Sequence, residues 1–261
     1  MATKKQNALK ITSPFGYGAV VALQKNDRVL LPSPGAIPEF CRAINALALS
    51  IGEFNAAARD YPIVFARTGA GKTYSPVIVL GLSDAQNLFV DARGNWDALA
   101  YLPAFVRRYP FCISKVTAQG GRGSEKIVCI AGAHVDQQGV ALFDETGKPT
   151  TQWQAAQRLL QEYENDLDAT AQMCALLGEL GLFAPFTFQV MQGEAPALKL
   201  QGMHRIDEKK FKALKPSKHK ALVSSGLMGK IYAHFHSLEN FARLYQRAVA
   251  RARAASAPAH A

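Results

Sequence analysis

Long apolar runs are missing from this chain, which removes one class of function at the outset. With 261 residues and 49% hydrophobic content, no segment reaches the roughly 18 uninterrupted apolar residues of a membrane-crossing helix. The start, MATKKQNALKITSPFGYG, is basic but has no apolar stretch of the kind a secretory signal needs. The expectation is therefore a cytoplasmic protein, with cell-surface association only by a route that reads no N-terminal signal. Cysteine is sparse: Cys41, Cys112, Cys129 and Cys174 lie far apart among apolar neighbours. They have neither the close pairing of a zinc site nor the density of a disulfide scaffold. Buried thiols are the expectation, bridges staying open only for an oxidising compartment. No repeat of fixed period is present.

Acidic residues thin out toward the end of the chain. Residues 1–198 hold 17 basic and 17 acidic side chains and residues 199–261 hold 13 and 3, so the net charge of +10 arises in the last quarter. Such a field attracts polyanions and is weakened by salt, without choosing among nucleic acid, anionic lipid and acidic polysaccharide. A solvated basic face is the ordinary alternative. The densest stretch, KKFKALKPSKHK, contains one aromatic ring, Phe211, and no helix-turn-helix or RNA-binding signature. Specific nucleic-acid recognition is therefore not expected.

Patterning predicts an α+β fold. YGAVVALQKNDRVLLP reads as strand, turn, strand. Pro38 to Arg59, with Phe40, Ile44, Leu47, Ile51 and Phe54 near the helical interval, reads as one helix or two short ones. PIVFAR, SPVIVLGL and NLFVDA read as an antiparallel meander, LPAFVRRYPFCISKV as irregular structure entering a strand, and KIVCIA and GVALFD as further strands. From Thr150 or Thr151, which can cap a helix, apolar residues recur every three to four positions until Gly181. FTFQVM and ALKLQGMHRI suggest a second hairpin. Asp207 then caps a short helix, Pro216 to Ser224 forms another, and SGLMGKIYAHFHSLENFARLYQRAVARARA continues as one long final helix. The resulting plan is a flexible tail over 1–18, one compact domain over 19–253 and a disordered tail over 254–261. The alternative is a subdivision near 150 into a β-rich part (19–149) and a helix-rich part (150–253).

The chemistry-bearing motifs are incomplete. GAGKT ends like a P-loop at Gly71, Lys72 and Thr73, but Ala66 holds the first glycine position. VIVLGL after Thr73 is strand chemistry, so no helix N-terminus receives a phosphate, and neither a nucleotide nor any other cofactor is expected. His234 and His236 would diverge by about 200° on a helix, which argues against a metal site. His134, His204 and His219 are isolated, with no Ser-His-Asp arrangement in view. Arg107, Arg108 and Tyr109 can hold a carboxylate or phosphate by forked hydrogen bonds, with Trp96 as a nearby platform. The structural reading pairs one arginine with Asp91 or Asp97 and packs Trp96 in a turn or core.

The blocks EFNAAARDYPIVF, VIVLGLSDAQNLFVDARGNWDALAYLPAFVRRYPF, LFDETGKPT, CALLGELGLFAPF and GLMGKIYAHFHSLENF resemble the SapC family of bacteria. They follow that family's order across Val20 to Arg247. The resemblance implies association with a paracrystalline surface layer, in its production or assembly, and no agreed catalytic residues. It also implies an accessory role in peptide modification as an alternative, because family members tend to be encoded beside outer-membrane receptors and oxygenase-like or halogenase-like proteins. The expectation is thus a binding protein whose basic C-terminal half engages envelope polysaccharide or an acidic protein. The alternative is an accessory or enzymatic component of peptide modification, holding its substrate against Trp96, Arg107, Arg108 and Tyr109.

Overall fold

The computed structural model describes residues 10–33, 35–69, 73–117, 124–192 and 195–256. Its strands are β1 (Lys10–Ile11), β2 (Val20–Ala22), β3 (Arg28–Val29), β4 (Ala46–Ala48), β5 (Ile63–Thr68), β6 (Thr73–Val79), β7 (Phe111–Thr117), β8 (Ser124–Ala131), β9 (Val140–Ala141), β10 (Phe183–Gln192) and β11 (Ala195–Ile206). The helices are α1 (Phe54–Ala57), α2 (Ala104–Arg107), α3 (Thr151–Glu179), α4 (Glu208–Lys212), α5 (Pro216–Ser224), α6 (Leu227–Ser237) and α7 (Asn240–Ser256). All strand pairs are antiparallel, and the architecture is α+β. The chain forms two compact units, Met1–Ala36 with Val106–Glu164 and Ile37–Phe105 with Asn165–Ala261.

The first unit carries a sheet in the order β1-β7-β8-β2 and a small β3-β9 ladder. The expected strand–turn–strand is present: the Gln24 N–H donates to Asp27 Oδ2 at 2.7 Å across the Asn26-Asp27 turn. Its two strands nonetheless pair elsewhere, β2 with β8 and β3 with β9. The core is Val29, Phe111, Ile130, Leu142, Trp153 and Leu160, with Trp153 tilted on Phe111 at 4.9 Å between ring centroids. Each such side chain taken out of water contributes about 1.5–3 kcal/mol. The α3 helix begins where expected, with Thr150 Oγ1 accepting the Trp153 N–H at 3.3 Å.

The second unit is built on the order β10-β11-β5-β6-β4. β5 and β6 form a hairpin with Thr68 opposite Thr73, so Thr73 opens a strand as expected; Ala70–Lys72 lie outside the described residues. α3 stops at Gly181, whose φ of 66° permits the Leu182 N–H to reach back to the Leu177 carbonyl.

Three sequence expectations are corrected in this unit. Pro38 to Arg59 is not simply helical. Two 3₁₀ turns, Glu39–Ala43 and Ile51–Glu53, flank strand β4, and only Phe54–Ala57 is α-helical. Here sheet pairing overrides the helical spacing: the Leu49 N–H donates to Pro76 O and the Leu80 N–H to Asn45 O. NLFVDA is not a third meander strand either. The carbonyls of Asn87 and Val90, which a strand would offer to a neighbour, accept from the Arg251 guanidinium at 2.6 Å each. The long final helix, lastly, is two. It breaks at Leu238-Glu239, where Ser237 and Asn240 turn inward to the backbone of the β5 region.

That inward turn is part of a larger device. β5 and β11 pair directly only at Ala66–Met203 and Phe65–His204, and then separate. The His234 imidazole fills the gap: Nδ1–H donates to Ile63 O at 2.9 Å, and Nε2 accepts the Ile206 N–H at 3.0 Å. Ser237 Oγ accepts the Ile63 N–H at 3.0 Å and donates to His234 O. A helix thereby supplies the ladder bonds that a strand cannot. His234 is fully buried, and burial pushes its pKa from the ordinary 6.5 down to about 4, with the Arg205 charge adding to the fall and the Ile63 bond opposing it.

A base with a depressed folded pKa is protonated first in the unfolded chain, so stability is complete above the unfolded value and lost as pH falls. Chemical denaturation should therefore show the His234 contribution in full above about pH 6.5 and its loss, roughly 3 kcal/mol, toward pH 4. His234→Gln should abolish that slope; an unchanged slope in the variant would mean that other groups carry it.

Candidate functional site

The basic face of the second unit is held by local rules. The Asp207 carboxylate accepts the N–H groups of Lys209 and Lys210 at 3.0 and 3.2 Å, starting α4. Pro216 opens α5, where its missing N–H costs nothing. Phe211 and Leu222 are buried beneath the two helices. His219 Nε2–H donates to Phe211 O at 2.9 Å and ties α5 to α4. Phe211 also meets Tyr232 and Phe235 of α6 edge-on, at 5.9 and 5.7 Å.

Outward from this anchor stand Lys209, Lys210, Lys212, Lys215, Lys218 and Lys220, all exposed. Lys212 pairs with Glu208 at 2.7 Å, which raises its pKa, and Lys210 Nζ donates to Gly181 O at 3.3 Å. From Lys209 to Lys220 the stretch holds no acidic residue; Asp207 and Glu208 just before it offset part of its charge, and a net positive field remains. Exposed ammonium groups on short helices can engage phosphate, sulfate or carboxylate groups and release their counterions.

The residues singled out from the sequence fall in different surroundings. Trp96 belongs to the second unit and is buried; its Nε1–H donates to Tyr61 Oη at 3.0 Å and its ring stacks on Phe89. Asp97 is engaged by Arg247 of α7 at 2.7 Å. Arg107, Arg108 and Tyr109 belong to the first unit. Arg107 is exposed, whereas Arg108 is buried between the rings of Tyr17 and Tyr163, at 5.6 and 4.4 Å. Burial pushes the Tyr17 phenol up, so its hydroxyl keeps its proton, against the opposing pull of Arg108. Tyr109 is half-buried, and its hydroxyl lies 2.9 Å from His134 Nε2, while His134 Nδ1 lies 2.5 Å from Leu30 O. The carbonyl requires a proton on Nδ1, and in that neutral tautomer Nε2 accepts from the tyrosine. His234 and His236 diverge as expected, the first buried and the second exposed.

The four cysteines are buried and free. Burial raises all their thiol pKa values, to about 12 for Cys41 and Cys174 and about 11 for Cys129. They are poor nucleophiles in the native state. Among the described residues no three His, Cys, Asp or Glu side chains converge on one point, and no helix is long and apolar enough to cross a membrane.

One feature escaped the sequence reading. A hollow of about 740 Å³ opens in the second unit between β6, the end of β4 and the C-terminal part of α3. Ala171, Ala175 and Gly178, spaced by four and three residues, present a low helix surface to it. That spacing was the available signal.

A family profile described as SapC covers residues 32–244. No curated protein and no solved structure matches the chain.

Truncating the anchor tests the construction of the basic face. Phe211→Ala should cost about 3–5 kcal/mol by emptying the site beneath α4 and α5. Hydrogen exchange should then accelerate first over Glu208–Ser224, and uniform acceleration across the second unit would refute a local anchor.

Proposed function

Because the chain belongs to the SapC family, we propose that it serves surface-layer production or assembly by binding, docking an anionic partner on its lysine face. The observation that carries this reading is the set of six exposed lysines from Lys209 to Lys220, with no acidic residue among them. The partner is an envelope polysaccharide or an acidic protein. Both present closely spaced carboxylate, sulfate or phosphate groups to ammonium groups that pay little desolvation cost at an exposed site. Several weak contacts acting together supply the affinity, so salt should weaken it steeply.

A second reading is an accessory or enzymatic role in peptide modification, favoured by the exposure of Arg107, two residues before Tyr109, whose hydroxyl meets His134 Nε2. It predicts that a substrate carboxylate protects Arg107 from guanidinium-directed modification.

Co-sedimentation with isolated envelope fragments separates the two. Reversing Lys215, Lys218 and Lys220 to Glu should lower binding about tenfold or more at low salt, equal to about 1.4 kcal/mol or more, while thermal stability stays near that of the parent. Binding that survives this reversal would exclude the lysine face as the docking surface.

A further inference from the structure

The hollow is the empty continuation of a strand. β4 pairs with β6 through Ala46–Val79, Leu47–Ile78 and Ala48–Val77. Extended by the same register, Ile51 would face Tyr74. It does not: the Ile51 N–H donates instead to Thr170 Oγ1 of α3 at 2.8 Å, and the chain curls into the 3₁₀ turn Ile51–Glu53. The Ser50–Glu53 capping box fixes that departure, with Glu53 Oε2 accepting from Ser50 N–H and Oγ–H at 3.1 and 2.7 Å.

The phase of the ladder shows which groups are left over. The Val79 N–H donates to Pro62 O, so residues 73, 75, 77 and 79 of β6 turn their backbone groups to β5. Residues 74, 76 and 78 turn theirs to the other side. There Pro76 O accepts the Leu49 N–H. For the N–H and C=O of Tyr74 no partner occurs among the described residues. These two groups lie at the edge of the hollow, whose lining includes Thr73–Pro76 of β6.

The walls suit an extended backbone. Ala171, Ala175 and Gly178 leave room beside the helix, and a Cβ added at Gly178 would meet nothing within 4 Å. The Tyr74 ring stacks on Phe183 at 4.1 Å, and Leu49 and Cys174 complete an apolar lining.

We propose that this vacated strand position takes a short extended segment of a partner protein, pairing its backbone with Tyr74 and placing apolar side chains at alternate positions into the hollow. Strand addition obtains affinity from main-chain hydrogen bonds and selectivity from such side-chain recesses. The volume, about 740 Å³, lies in the range of sites that enclose several groups of a ligand. The site does not depend on the lysine face.

The probe is a displayed library of short linear peptides, selected on the full chain and followed by fluorescence polarisation with the recovered sequences. Ala175→Trp and Gly178→Leu fill the hollow from exposed helix positions, so the fold is retained, as circular dichroism can verify. Recovered peptides should lose about tenfold or more in affinity to either variant and slow exchange of the Tyr74 amide in the parent. Their binding should be unchanged when Lys215, Lys218 and Lys220 are reversed. Three results would overturn the proposal: no peptide enriched, binding indifferent to both fillings, or binding lost only on charge reversal. Concentration-dependent dimerisation abolished by the same fillings would also overturn it, assigning the position to a second copy of the chain.

Discussion

A neutral imidazole standing in for a stretch of β-ladder is the contact on which the second unit depends. β5 and β11 touch through two residue pairs and then diverge, and a backbone left unpaired in a dry interior costs about 1–3 kcal/mol per group. His234 bridges Ile63 and Ile206, and Ser237 closes the remaining Ile63 N–H. Asn240, at the start of the next helix, takes the carbonyls of Ala58 and Tyr61. One short helical corner therefore satisfies the backbone on the β5 side and seats α6 and α7 in a single orientation.

From that seating follow the features with functional content. α7, once oriented, places Arg251 on the carbonyls of Asn87 and Val90 and Arg247 on Asp97. Part of the C-terminal positive charge is thus used internally. The exposed lysines of α4 and α5 are the part turned outward, anchored by Phe211 against α6. The same sheet ends in β4, and α3 draws Ile51 away from the line it would otherwise follow. The two surfaces proposed for docking thus belong to one unit but differ in chemistry, one offering exposed ammonium groups and the other backbone groups beside an apolar hollow.

The legible part of the fold was local. Thr150 at the start of α3, Gly181 at its end, Asp207 before α4 and Pro216 at the first turn of α5 act through bonds spanning a few residues, and each is found in that role. The strand opening at Thr73 was readable for the same reason, since strand chemistry follows it at once. Of the candidate site, the lysine stretch was legible because charge needs no partner to be counted. Trp96 and Arg108, by contrast, carried no sign in the sequence of the partners that bury them.

The sequence alone determined the α+β class, the caps and turns, the concentration of positive charge near the end, the divergence of His234 from His236 and the family likeness. Each rests on composition, on spacing within one element, or on blocks read in order along the chain. Only the tertiary structure decided that Ala46–Ala48 is a strand, that Asn87–Ala92 is not, that the final helix breaks, and that a strand position beside Tyr74 stands empty. Those outcomes turn on hydrogen bonds between residues as far apart as Ile51 and Thr170 or Ile63 and His234. Such bonds form only after distant segments have been brought into register, and local periodicity holds no record of them.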